Sequence, residues 1–131
     1  MAALSPYAEL LKLGEAPDLA GGAPLFVMPA HDGLQGRPGY LHGGAIAGLL
    51  EFAAFSALNA ALRDATTVIK PITLTVDYLR GGEMVHTHAR AEIIRLGRRI
   101  ANLEVRAWQR DETKPIALAR LNFLLDRTTG A

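Results

Sequence analysis

Read from the amino terminus, apolar residues first recur at helical spacing in Ser5 to Leu13 (SPYAELLKL), where Tyr7, Leu10 and Leu11 follow a serine cap and a first-turn proline. A short amphipathic helix is expected there. Gly14 to Ala23 is rich in turn residues, and Pro24 to Met28 (PLFVM) has the bulk of a short buried strand. Pro29 to Gly39 has no periodicity, several glycines and the pair His31-Asp32, so it reads as a loop.

The longest apolar stretch follows, from Tyr40 to Leu62 (YLHGGAIAGLLEFAAFSALNAAL). Alanine and leucine are strong helix formers and no proline interrupts, so Ala45 to Leu62 predicts a helix of about five turns. It is apolar nearly all round. Such a helix must be wrapped by protein or lie in a membrane, and Glu51, Ser56, Asn59 and the high alanine content argue for the first. At its amino end, Gly43-Gly44 leaves unpaired N–H groups open to close approach by another molecule.

Beyond Leu62 the pattern turns to period two. Thr66 to Arg80 alternates Ile72, Leu74, Val76 and Tyr78 with Thr73, Thr75 and Asp77, and Pro71 fits an edge position. Met84 to Leu96, Arg99 to Arg110 and Ile116 to Leu125 read as three more strands, separated by turns at Gly81-Gly82-Glu83, Gly97 and Asp111 to Pro115. Four consecutive strands joined this way predict an antiparallel meander. With the strand near Phe26, the expectation is an α+β chain whose curved sheet of five to six strands wraps one long helix.

Composition narrows the choices. The 131 residues, half of them hydrophobic, suffice for one domain over 1–131, with 1–23 as a helix and turn-rich lead-in. A net charge of +1 gives no broad basic field, so no nucleic-acid partner is expected. The absence of cysteine excludes disulfides and thiolate metal sites. His31, His86 and His88 have spacings that could suggest a metal, but His-Thr-His on a strand without a nearby carboxylate or thiolate is a weak signal, so no metal site is expected either. MAALSPYAEL has no basic leader before an apolar core, which makes a cytoplasmic protein the default.

His42-Gly43-Gly44 at the helix start, Glu51 eight positions after Gly43, and the strand Thr75-Val76-Asp77-Tyr78-Leu79-Arg80 together resemble the hotdog fold. More narrowly, with Arg95-Leu96-Gly97-Arg98-Arg99 and Ala117-Leu118-Ala119-Arg120, the chain resembles the phenylacetate-pathway (PaaI-type) acyl-CoA thioesterases over roughly Leu25 to Leu125. The resemblance implies that the Gly43 N–H polarises a thioester carbonyl and that Glu51 acts as nucleophile or as base for water, with His42 and Gly44 completing the motif. It also implies a homodimer, often paired into a tetramer, and no cofactor beyond the coenzyme A of the substrate. Members commonly carry Asn or Gln six residues before the motif histidine. Here that position is Gly36, with Gln35 beside it.

The residues suit that chemistry. Thioester hydrolysis needs a donor for the developing oxyanion and a group that attacks or deprotonates water. An amide at the positive end of a helix supplies the first, and the carboxylate of Glu51 the second. At about 1.5 Å per residue, the two groups lie about 12 Å apart along one helix, too far to grip one carbonyl. Two antiparallel helices across a two-fold would bring Gly43 of one subunit opposite Glu51 of the other. Phe52 and Phe55, with many alanines, are candidates to line the acyl slot. Arg95, Arg98 and Arg99 are candidates for the coenzyme A phosphates, and Thr73 for a further substrate contact. Two rival functions are a non-catalytic acyl-CoA-binding or scaffold module and, more weakly, a hydratase, which would need its histidine closer to the acid.

Overall fold

The computed structural model describes residues 4–17, 23–64 and 66–127. In chain order these form α1 (Pro6–Leu10), β1 (Gly14–Ala16), β2 (Leu25–Met28), a 3-10 turn (Asp32–Leu34), α2 (Gly43–Ala61), β3 (Val68–Tyr78), β4 (Thr87–Leu96), β5 (Ile100–Trp108) and β6 (Ala117–Asp126). The strands make one antiparallel sheet in the order β1-β2-β4-β5-β6-β3.

Three sequence expectations change. The first helix is shorter than the amphipathic pattern, because Ser5 caps it through the Ala8 N–H and Lys12 turns left-handed at φ 58°. Gly14–Ala16, read as turn, pairs with β2 as a short edge strand. The rest of that turn-rich reading, residues 18–22, lies outside the described residues. The largest correction concerns the meander: only β4, β5 and β6 follow one another, while β3 pairs with the last strand. The cause lies at Gly81 to Glu83, which is no hairpin turn. The Gly82 carbonyl accepts from the Leu41 N–H at 2.8 Å, and Glu83 bridges Tyr40. The Gln109 side-chain amide holds the Glu83 backbone on its other side. The chain is thereby carried past the start of α2, and β4 begins on the far side of the sheet beside β2.

Alternation along the strands sends Ala89 and Ala91, Leu103, Val105 and Ala107, and Ala119, Leu121 and Phe123 to one face. Against that face α2 buries Ala45, Ile46, Leu49, Leu50, Ala53, Ala54, Ala57 and Leu58. Alanine opposite alanine lets helix and sheet approach closely, and Leu49, Leu50 and Leu58 are fully buried. Each buried leucine contributes about 1.5–3 kcal/mol of transfer free energy. By length and composition α2 is apolar enough to cross a membrane, but its apolar side chains fill the inside of the sheet.

One margin is left uncovered. β3 is an end strand of eleven residues, with a register shift between Pro71 and Thr73 where the proline interrupts the ladder. Ile72, Leu74 and Tyr78 are 52%, 39% and 52% exposed, although Leu74 pairs with buried Leu121 and Tyr78 with buried Ala117. An apolar strip thus runs along an open sheet edge.

Candidate active site

The start of α2 is built by its cap. His42 is extended (φ −65°, ψ 134°), and its Nδ1 accepts the Gly44 N–H at 2.8 Å. The N–H groups of Ala45 and Ile46 both reach the His42 carbonyl, at 3.0 and 3.3 Å. Of the first-turn donors only the Gly43 N–H has no acceptor among the described residues. The positive helix end therefore presents one open amide. Tyr78 fixes this turn from the side: its hydroxyl donates to the Gly43 carbonyl at 2.8 Å. A Cβ at position 43 would lie 3.3 Å from the Tyr78 Cζ and Oη, so glycine is what lets the ring lie against the backbone.

The loop before the helix explains position 36. The Gly36 N–H donates to the Tyr40 carbonyl at 2.9 Å, and the His42 N–H to the Leu34 carbonyl at 2.7 Å, folding the loop onto the helix start. A Cβ on Gly36 would sit 3.0 Å from the His42 Cα. No side-chain amide fits there without moving the loop. Gln35 is exposed, and its Oε1 accepts the Gly39 N–H at 3.3 Å. It staples the turn in which Gly39 takes φ 85°.

Glu51 lies two turns along α2, half-buried and without an ion pair among the described residues. It lines a groove of about 430 Å³ between α1, α2 and the start of β3, with Tyr7, Leu11, Phe52, Phe55 and Pro71 among its walls. Phe52 is held edge-on against Phe26, with ring centroids 4.9 Å apart, while Phe55 stands 40% exposed at the rim. Gly43 and Glu51 share one unbroken helix, so within one chain they remain about 12 Å apart along its axis.

The other candidates fall elsewhere. Arg95, Arg98 and Arg99 are exposed around the β4–β5 hairpin, with no ion pair among the described residues. That hairpin lies at the carboxyl-terminal end of α2: Arg127 donates to the Arg98 carbonyl at 3.0 Å and faces Asp64 at 3.9 Å. Hydrogen bonds from Thr66 and Thr67 hold the Asp64 carboxyl below the usual range. Lys70 pairs with Asp126 at 3.1 Å. Thr73 is on the outer sheet face, where its hydroxyl accepts from Asn122 at 2.7 Å, away from the Glu51 groove. Also outside the groove, His88 stacks on Trp108, and burial, then the neighbouring His86, lowers its pKa. No group of three or more metal-ligating side chains occurs among the described residues.

Sequence reasoning missed two residues beside these groups. Tyr78 was readable only as core or interface, because nothing in a strand pattern shows that its hydroxyl reaches a helix start thirty-five residues earlier. Tyr7 read as the apolar face of a short helix, yet it lines the Glu51 groove.

Comparison with known proteins agrees with this architecture. Residues 38–116 match the family model of the thioesterase superfamily. No match is found among curated proteins. A Chromobacterium violaceum protein of solved structure is 35% identical, over 94% of this chain and 85% of that one, with a TM-score of 0.75. A Bacillus halodurans protein solved with CoA is 20% identical, over 95% and 81%, with a TM-score of 0.85. A phenylacetic acid degradation-related protein from Ralstonia eutropha is 23% identical, over 94% and 92%, with a TM-score of 0.81. The sheet wound round α2, the capped helix start and the matched residues have one reading: the chain belongs to the thioesterase superfamily and has its hotdog fold.

Proposed function

We propose that this protein hydrolyses the thioester of an aryl- or acyl-CoA to the free acid and coenzyme A. The observation that carries the reading is the open Gly43 N–H, without an acceptor among the described residues at the positive end of α2 while His42 occupies its neighbour. Aimed at a thioester oxygen, that amide stabilises the charge that develops as the carbonyl carbon is attacked. Glu51 either attacks that carbon, giving an acyl-enzyme anhydride that water then opens, or takes a proton from the attacking water. In both routes the sulfur leaves as coenzyme A thiolate and is protonated.

The active unit is a homodimer in this reading. The 12 Å along α2 separates the two groups within a chain, and the exposed apolar edge of β3 offers a surface for a second copy. Antiparallel helices would then set Gly43 of each subunit against the partner's Glu51, and two such dimers could pair again. Arg95, Arg98 and Arg99, without an ion pair among the described residues, would receive the coenzyme A phosphates, where a guanidinium binds bidentately. Replacing Glu51 by Ala should lower kcat on the best acyl-CoA by at least about a hundredfold. Melting temperature and sizing profile should stay unchanged. Retained turnover in that variant would contradict the proposal.

A second reading has one observation in its favour: Gly36, where relatives of the PaaI type commonly carry an amide, has no side chain, and a Cβ there would press on the His42 Cα at 3.0 Å. A chain lacking that amide could bind acyl-CoA without turning it over. Calorimetry with a non-hydrolysable thioether analogue, beside a broad thioester assay, separates the two. Binding without turnover would favour the module.

A further inference from the structure

The geometry points to α1 as one wall of the acyl site and to Tyr7 as a specificity-determining residue. This inference rests on the thioesterase reading and adds which part of the chain chooses the acyl group.

Gly48 lies where α1 and α2 touch. A Cβ there would lie 2.9 Å from the Tyr7 Cε2 and from the Leu11 Cδ1, and 3.2 Å from the Tyr7 hydroxyl. The missing side chain is therefore what lets α1 lie down on α2, with the Tyr7 ring directly over position 48. Glu51 follows Gly48 by three residues, so the two share a face of the helix. Helical side chains lean toward the amino terminus, and the patch that Glu51 covers is the turn containing Gly48. The Tyr7 phenol and the Glu51 carboxylate thus converge on the same space from two helices. Neither is hydrogen-bonded or ion-paired among the described residues.

The rest of that space is apolar. Phe52 and Leu11 wall the groove, and Phe55 closes the side one turn beyond Glu51. At about 430 Å³ it exceeds the ~150 Å³ that holds a benzene ring, so width does not exclude an aryl or a medium alkyl group. What limits the occupant is the ring opposite Glu51. Tyr7 is 53% exposed and anchored by a helix of only five residues, whereas Phe52 is fixed against Phe26. The Tyr7 side is the adjustable wall, and it sets how bulky an acyl group can lie beside the carboxylate.

The test is a panel of acyl-CoA thioesters, graded from acetyl to branched and aryl groups, hydrolysed by wild type, Tyr7→Ala, Tyr7→Phe and Leu10→Ala. Leu10 shares α1 but does not line the groove. In Tyr7→Ala the ratio of kcat/KM for the bulkiest over the smallest accepted group should rise about tenfold, the scale on which an apolar pocket discriminates. Tyr7→Phe and Leu10→Ala should keep the wild-type ratio, and circular dichroism should show all three folded. If Tyr7→Ala lowers every substrate equally or otherwise leaves that ratio unchanged, α1 is a structural support and the inference falls while the thioesterase reading stands. If wild type hydrolyses nothing but binds thioether analogues, the same ratio is read from Kd. If it neither hydrolyses nor binds them, both readings are overturned.

Discussion

At the level of single residues, the site depends on hydrogen bonds that leave one donor over. His42 occupies the Gly44 N–H and Tyr78 the Gly43 carbonyl, so the Gly43 amide is held in place by contacts on both sides of it. Tyr78→Phe should lower stability by about 1 kcal/mol, the usual net value of one hydrogen bond. It should also lower kcat more than it raises KM, since the amide would be less firmly aimed. Equal kinetics in the two proteins would show that the Tyr78 hydroxyl has no part in positioning. His42, Gly43, Gly44 and Glu51 could be named as candidates from the sequence, because a motif at a helix start is local. The sequence could not disclose Tyr78, which acts across the fold. His88 gives a separate prediction. Burial disfavours its imidazolium, so the unfolded chain binds that proton more readily than the native one. The stability contributed by neutral His88 is fully present above pH 6.5 and lost as pH falls below it. His88→Phe, which keeps an aromatic ring on Trp108, should flatten the fall in melting temperature between pH 7 and about pH 5. An unchanged slope would assign that acid sensitivity to other groups.

At the level of elements, α2 and the strands after it were legible because their periods are unambiguous. Apolar residues all round predicted a swallowed helix, and alternation predicted β3 to β6. Pairing was not legible. Period two says which face a strand buries but not which neighbour it takes, and the Gly81-Gly82 pair resembles a hairpin turn although it crosses the start of α2. The same crossing leaves β3 at the margin with an apolar strip exposed, and Pro71 was the local hint that this strand lies at an edge. If that edge receives a second copy, the double variant Ile72→Lys, Leu74→Lys should run as a folded monomer in sizing and lose hydrolysis. A dimer of unchanged stability would place the interface on another face.

For the molecule as a whole, the proposed site is composite, with the oxyanion donor from one chain and the carboxylate from its partner. Its warrant is the length of α2, which was already countable in the sequence, and the open amide, which was not. Complementation tests it most directly. Gly43→Pro removes the amide hydrogen at the first helical position, where proline is tolerated after an extended His42; its Cβ also presses on the Tyr78 ring at 3.3 Å, so circular dichroism and sizing must show the variant folded and dimeric. Glu51→Ala removes the carboxylate. Each variant alone should be inactive, but a mixed dimer carries one doubly damaged site and one intact site. Unfolded and refolded together in equal amounts, the two should recover about a quarter of the wild-type rate per subunit, since half the dimers are mixed and each has one working site of two. No recovery despite demonstrated mixed dimers would contradict the shared site.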